Sequence, residues 1–324
     1  MKIGKWSLVA GIALLSLAAP TVFAETRWPA EKTIRIVVPF AAGGIGDVLM
    51  RLLAQEVSEK ASRTIIVENR PGAGGVIGTE AVSRSSPDGT NLLLVANSFL
   101  INAHVAARLP YDVLTSFAPI CLLAHTPLVL VVNTKSRYLS VAKFIEAAHE
   151  PQNRFTVGGT GPNTTQHLTL EALKQATNTD LSFVSFSGDP SAITNVLSGH
   201  ITAALANYAG VKDHLGAGLR PLAVGSYERL VELPDVPSFS ELGFAEIDAI
   251  AWIGLVLPAR TPEDITAQIA ARFRSALDGP GIRTKLIALG LTPIGKCGED
   301  FAGYLRQQYD RYGRVVKAAG IRAQ

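Results

Sequence analysis

The chain has 324 residues, with 30 Lys and Arg against 27 Asp and Glu, a balance that excludes the strongly basic character of a nucleic-acid binder. Hydrophobic residues make up 48% of it, and a chain of this length buries enough surface for two domains with separate cores. Its two cysteines, Cys121 and Cys297, exclude a disulfide-built scaffold, and the sequence leaves open whether they pair or remain free thiols.

Residues 1–24 read as an export signal. Lys2 and Lys5 provide the positive start, and residues 8–19 form an apolar run too short to span a membrane comfortably. Val22-Phe23-Ala24 fits a small-residue cleavage site, with no cysteine after it for lipid attachment.

Residues 34–51, IRIVVPFAAGGIGDVLMR, then predict a buried strand, a glycine turn and a helix. Pro39 ends the strand, Gly43 and Gly44 permit close backbone approach, and Asp47 marks the helix start. Such a loop aims free N–H groups and a positive helix end at whatever lies in front of it, which is an anion site in outline; it is equally an ordinary strand-to-helix turn. A second strand is predicted at 64–68. The glycine-rich loop 69–75 after it fails the dinucleotide pattern because Ile77 occupies the third glycine position. A helix at 76–83 and a third strand at 92–96 follow, the strand ending at Asn97-Ser98. This alternation predicts a parallel, doubly wound sheet whose ligands bind beyond the strand ends.

An apolar strand region at 122–133 is interrupted by Thr126-Pro127, where a domain crossing is expected. Ser140 caps a predicted helix. Residues 155–170, FTVGGTGPNTTQHLTL, repeat the opening logic of strand, glycine turn and helix. Thr160, Asn163, Thr164 and Thr165 supply hydroxyls and an amide there, suited to a ligand or simply to capping the helix. Strands at 181–186, 201–205 and 220–225 and a helix at 191–198 give the middle of the chain its own parallel sheet. The strand at 250–257 is expected to return the chain to the first domain. Thr261-Pro262-Glu263-Asp264 is a helix start, and the remainder is expected to be mostly helical.

No known catalytic spacing is found. Residues 290–297, GLTPIGKC, miss the phosphate-binding loop pattern at Cys297 and contain Pro293. No nucleophile elbow and no metal-ligand spacing occur, His167 reads as structural, and no cofactor is expected.

Several segments occur in one order: Trp28-Pro29, VPFAAGGIGD at 38–47, VENRPGAGGVIG at 67–78, SPDGTNLLL at 86–94, LPYD at 109–112, LPDVPSF at 233–239 and WIGLVLPARTP at 252–262. Together they resemble the extracytoplasmic solute receptors of tripartite tricarboxylate transporters, the Bug (TctC) family, from about residue 28 to the C-terminus. The resemblance implies an α/β chain with a type II periplasmic binding fold, two doubly wound lobes joined by two crossing strands. It places residues 25–128 and 248–324 in lobe 1 and 129–247 in lobe 2. It implies no enzymatic activity. The implied role is capture of a small carboxylate (a di- or tricarboxylate, an acidic amino acid or an aromatic acid) in the periplasm and its delivery to the membrane subunits of a transporter. The receptor is expected to act as a monomer, without nucleic acid.

In the family, the first loop holds a carboxylate through backbone groups and ordered waters. The candidate residues there are Phe40, Ala42, Gly43, Gly44, Ile45 and Asp47, with Asp47 ordering the turn. Ser98 is added from the third strand end. Lobe 2 contributes Thr160, then Gly161, Thr164 and Thr165 from the family's G-[ST]-x-x-H-L segment, which falls on residues 161–168 with His167 also matching, and Ser187, Gly188 and Asn207. The sequence departs from the family in two places. Ala41-Ala42 replaces a proline-containing first loop, and FVSFSG at 183–188 replaces His-Val-Pro-Tyr-Lys-Gly, which makes that wall smaller and less basic. An exported enzyme of the same shape and a sensory input protein with the same ligand are the alternatives.

Overall fold

The β-branched run at the start of the described chain forms β1 (Ile34–Val38), and Pro39 ends it. The computed structural model describes residues 32–150, 154–245, 247 and 249–321; the stretch expected to be an export signal and Trp28-Pro29 lie outside the described residues. α1 (Ile45–Ala61) follows the glycine turn and buries Leu49, Met50, Leu53, Ala54 and Val57, one face at helical spacing. It stops at Ser62 in the left-handed conformation. β2 (Ile65–Asn69), α2 (Val76–Ser83) and β3 (Asn91–Ala96) complete the first winding. β3 passes directly into α3 (Asn97–Val105), a helix the sequence reading did not anticipate.

β4 (Phe117–Asn133) is a single strand of 17 residues. Thr126-Pro127 does not break it. Pro127 pairs with Ile250 where β4 leaves its first set of neighbours, so the missing proline N–H falls at a change of partners. The elements that follow are α4 (Val141–Ala148), β5 (Phe155–Thr160), α5 (Thr165–Thr177), β6 (Leu181–Phe186), α6 (Asp189–Leu197), β7 (Ala203–Asn207), α7 (Tyr208–Val211) and β8 (Leu219–Val224). β9 (Ile250–Pro258) returns the chain alongside β4. α8 (Glu263–Asp278), α9 (Pro280–Ala288), β10 (Thr292–Cys297) and α10 (Glu299–Ala318) end the described fold. The stretch 292–297 is thus a strand inside a region expected to be mostly helical.

The sheet order is β2-β1-β3-β9-β4-β7-β5-β6, with β10 and β8 also paired to β4. β1, β2 and β3 are parallel, and β9 runs antiparallel to both β3 and β4. The early part of β4 therefore points the same way as β3. β5, β6 and β7 are parallel to each other, and β7 runs antiparallel to β4 with Asn207 opposite Leu128. The carboxyl ends of both parallel sets consequently converge on the crossing at 125–128. Each set is covered on both faces. Ile36 and Val38 pack with α1 and α8 on one side, and Val37 packs with α3 and α10 on the other. In the second set, Phe144, Phe155 and Leu173 fill one face and Ile193, Val196 and Val211 the other.

Cys121 and Cys297 are register partners on β4 and β10, with Cα atoms 4.0 Å apart, and form a disulfide. α10 crosses behind the sheet. Tyr312 sits in the first core, and the Ala318 carbonyl accepts a hydrogen bond from Gln175 Nε2 of α5 at 2.5 Å.

Candidate functional site

The first loop is held by one carboxylate. Asp47, in the first turn of α1, is 4% exposed and its Oδ2 accepts from the Gly43 backbone N–H at 2.9 Å. Arg51 donates to the same oxygen at 3.1 Å, and Asn69 Nδ2 donates to Asp47 Oδ1 at 3.0 Å. Asn69 Nδ2 also donates to the Phe40 carbonyl at 3.2 Å, which ties the end of β2 to the start of the loop. Burial pushes the Asp47 carboxyl up, but its bonds to Arg51, Gly43 and Asn69 outweigh this and hold it below the usual range. Asp47 is thereby committed to the turn. Gly43 has φ +80, which glycine adopts freely. Ala41, Ala42, Gly43 and Gly44 are exposed, Ile45 is half-buried, and Phe40 packs its ring against the first core. Gly44 is the N-cap of α1, so the first-turn N–H groups, which have no helical carbonyl partner, open beside the exposed glycines.

Asn97 and Ser98 start α3 and are both buried. The Asn97 side chain turns away from the strand end. Its Nδ2 donates to the Ile250 carbonyl at 2.9 Å and to Tyr312 Oη at 2.7 Å, and its Oδ1 accepts from Trp252 N at 2.9 Å. It fastens β3, β9 and α10 together behind the site.

In the second set, Thr160 ends β5 and Gly161 turns the chain with φ +70. Thr164 is the N-cap of α5: its Oγ1 accepts from His167 N at 3.4 Å and donates to the Gly161 carbonyl at 3.1 Å. Thr165 is buried in the first turn. The Asn163 N–H donates to His167 Nδ1 at 3.4 Å, while the His167 ring lies 4.7 Å from that of Phe183. Burial lowers the pKa of His167 and of His125 at the crossing. A Cβ on Gly159 would meet Gln166 Cβ and Phe183 Cε2, each at 2.7 Å, so the bare strand lets both side chains lie against it. Ser187 is exposed, and Gly188 is the N-cap of α6.

Asn207 ends β7 and meets Asp189, the first residue of α6. Asp189 Oδ2 accepts from the Asn207 side chain at 2.7 Å and from its backbone N–H at 3.2 Å, and the Gln166 side chain lies beside the carboxylate. Burial pushes the Asp189 carboxyl up to about 6 despite these donors. The other two oxygens of the pair, Asp189 Oδ1 and Asn207 Oδ1, are buried without a partner. Asp189 and Gln166 were absent from the expected set. The available signal was an acid directly after the Gly188 cap and before Pro190, at the start of a helix that follows a strand.

All of these residues lie on the loops and helix starts at the carboxyl ends of the two strand sets. The expected residues therefore divide between two groups that face the same crossing. None of them is Lys or Arg, and Arg51, the cation bonded to the first loop, is engaged by Asp47 and Asn69. The starts of α1, α3, α5 and α6 bring first-turn N–H groups, the positive ends of their helix dipoles, to this region. Such a region can hold an anion through N–H groups, hydroxyls and bridging water. Among the described residues, no group of three or more His, Cys, Asp or Glu is arranged to hold a metal ion.

A family model described as the tripartite tricarboxylate transporter family receptor matches residues 49–321. Protein BugT of Bordetella pertussis is 31% identical over 316 residues, which span 96% of this chain and 95% of that one. The solved periplasmic binding protein BugD superposes with a TM-score of 0.84 at 26% identity, over 91% of this chain and 99% of that one. An R. palustris protein solved with adipate, Rpa4515, gives a TM-score of 0.84 at 27% identity, over 90% and 98%. The matched family and the structural neighbours are binding proteins, not enzymes.

Proposed function

This chain belongs to the tripartite tricarboxylate transporter receptor family, and from that premise we propose that it captures one small carboxylate in a cleft between two lobes. Lobe 1 comprises residues 25–128 and 248–324, and lobe 2 residues 129–247. β4 and the segment entering β9 are the crossing strands, about which the lobes close on the ligand by a hinge motion. The mature protein, cleaved after Ala24, works in the periplasm as a monomer and hands its ligand to the membrane subunits of a tripartite transporter.

The observation that carries this reading is the convergence of helix starts from both strand sets on one crossing, without a lysine or arginine among the candidate loops. The carboxylate is held by the N–H groups around Gly43, Gly44 and Ile45, directly or through water. Thr164, Thr165 and the start of α6 close on it from the other side. The adipate complex of a relative supports a small organic acid as the ligand class.

A thermal-shift screen of residues 25–324 against small carboxylates and their amides tests the proposal. A ligand that binds only the folded state, present at about a hundred times its dissociation constant, adds roughly 2.7 kcal/mol. The expected result is a shift with an acid and none with its amide. Equal shifts with acid and amide would contradict carboxylate recognition.

A further inference from the structure

The Asp189–Asn207 pair is the feature of the candidate site that carboxylate capture leaves unused. Asp189 is 9% exposed and Asn207 8%, and they stand at the start of α6 and the end of β7. Asp189 Oδ2 accepts from the Asn207 backbone N–H and from its Nδ2. The remaining oxygens, Asp189 Oδ1 and Asn207 Oδ1, are buried acceptors without a hydrogen-bond partner, and the Gln166 side chain lies beside the carboxylate without bonding to either. A buried acceptor left unsatisfied is costly, and a carboxylate oxygen more so than an amide. No Lys or Arg occurs at 158–167, 183–190 or 203–211 to supply the missing donor.

Resting on the carboxylate-receptor reading above, we propose that the Asp189–Asn207 pair is a specificity element that selects a ligand carrying a hydrogen-bond donor, best an ammonium, at the end remote from its carboxylate, and rejects a second carboxylate there. The first loop takes the anionic end. The donor reaches the two free oxygens when hinge motion parts the segments that cover them, and closure seals it against Asp189. A ligand ammonium there stabilises the ionised acid, whereas a second carboxylate brings like charge against a buried anion. The family's adipate-bound relative therefore does not set the ligand of this chain, whose second-lobe wall carries an acid and no base.

The test is calorimetric titration of residues 25–324 with pairs matched in length: 4-aminobutanoate and succinate, 5-aminopentanoate and glutarate, 6-aminohexanoate and adipate. In at least one pair the amino acid is expected to bind about tenfold more tightly or better, the scale of one charge-assisted hydrogen bond. Asp189→Asn keeps an acceptor for Asn207 and removes the charge, and Asp189→Ser shortens the side chain. Both are expected to bring that ratio to within about twofold while circular dichroism reports a native fold. A ratio unchanged in both variants, whatever their melting temperatures, would mark Asp189 as purely structural and overturn the proposal. Diacids binding the native chain more tightly than their amino partners would overturn it too, while leaving carboxylate capture standing. Silence toward every acid, including the monocarboxylate pentanoate, would overturn the carboxylate reading and this inference with it.

Discussion

The Asp47 carboxylate accepts the backbone N–H of Gly43 at 2.9 Å, so the helix that follows the first loop also sets the loop's shape. Replacing Asp47 by Ala leaves the Gly43 N–H and the Asn69 amide without this acceptor. A loss of about 2 kcal/mol is expected in urea unfolding, the scale of a charged hydrogen bond. Because the folded-state pKa lies below the ordinary 3.8, the contribution of Asp47 is present above about pH 4 and disappears as pH falls through the lowered value. The wild type should therefore lose more stability on acidification below pH 4 than Asp47→Ala does. Parallel acid slopes would contradict this role.

The two loop glycines should separate stability from binding. Gly43 has φ +80, and a β-branched side chain there is strained whatever the space around it. Gly44 has φ −70, and an added Cβ meets only the Ala41 carbonyl, at an ordinary 3.6 Å. Gly44→Val is expected to fold with nearly native stability and to lose ligand binding. Gly43→Val is expected to lose both. Native affinity in folded Gly44→Val would remove the first loop from the site.

The disulfide joins residues 176 positions apart, so it closes a loop that runs from within β4 through β5 to β9 and on to the end of β10. The chain-entropy account gives about 5 kcal/mol for a loop of this size, and measured values cluster at about 2–4. A Cys121→Ala/Cys297→Ala chain should have a lower urea midpoint than the oxidised wild type. Dithiothreitol should lower the wild-type midpoint and leave the double variant unmoved. A midpoint insensitive to both would contradict a stabilising cross-link.

Asp189 should give the opposite pH signature from Asp47. Burial raises its folded-state pKa from 3.8 to about 6, so the native chain holds this proton more tightly than the unfolded chain. Its contribution is complete below about pH 4 and is lost as pH rises through 6. The loss is on the order of 3 kcal/mol. Urea midpoints of the ligand-free wild type should fall relative to those of Asp189→Asn between pH 4 and 6.5. A constant difference across that range would show that the carboxyl titrates normally.

The strands and glycine turns were legible because β-branched runs ending at Pro39 or Gly161 carry their own punctuation. α3 was not. It buries polar Asn97, Ser98 and Asn102 along with its apolar residues, so no polar stripe marks a helix, and its N-cap, Ala96, has no side-chain oxygen to announce a helix start. β10 was hidden by Pro293 and Gly295, and its strand character comes from pairing with β4. The crossing was visible at Thr126-Pro127, but the continuity of β4 through it depends on partners more than 100 residues away. Within the candidate site, the loops could be read locally. The Asp189–Asn207 pair could not, because it joins residues 18 positions apart across two elements.

The most direct measurement is a crystal structure of residues 25–324 with the acid that gives the largest thermal shift. The account predicts the ligand's carboxylate oxygens within hydrogen-bonding distance of N–H groups at 43–47, directly or through one water, with Thr164 and Thr165 facing it from the other lobe. A carboxylate held instead by a lysine or arginine elsewhere on the chain would contradict it.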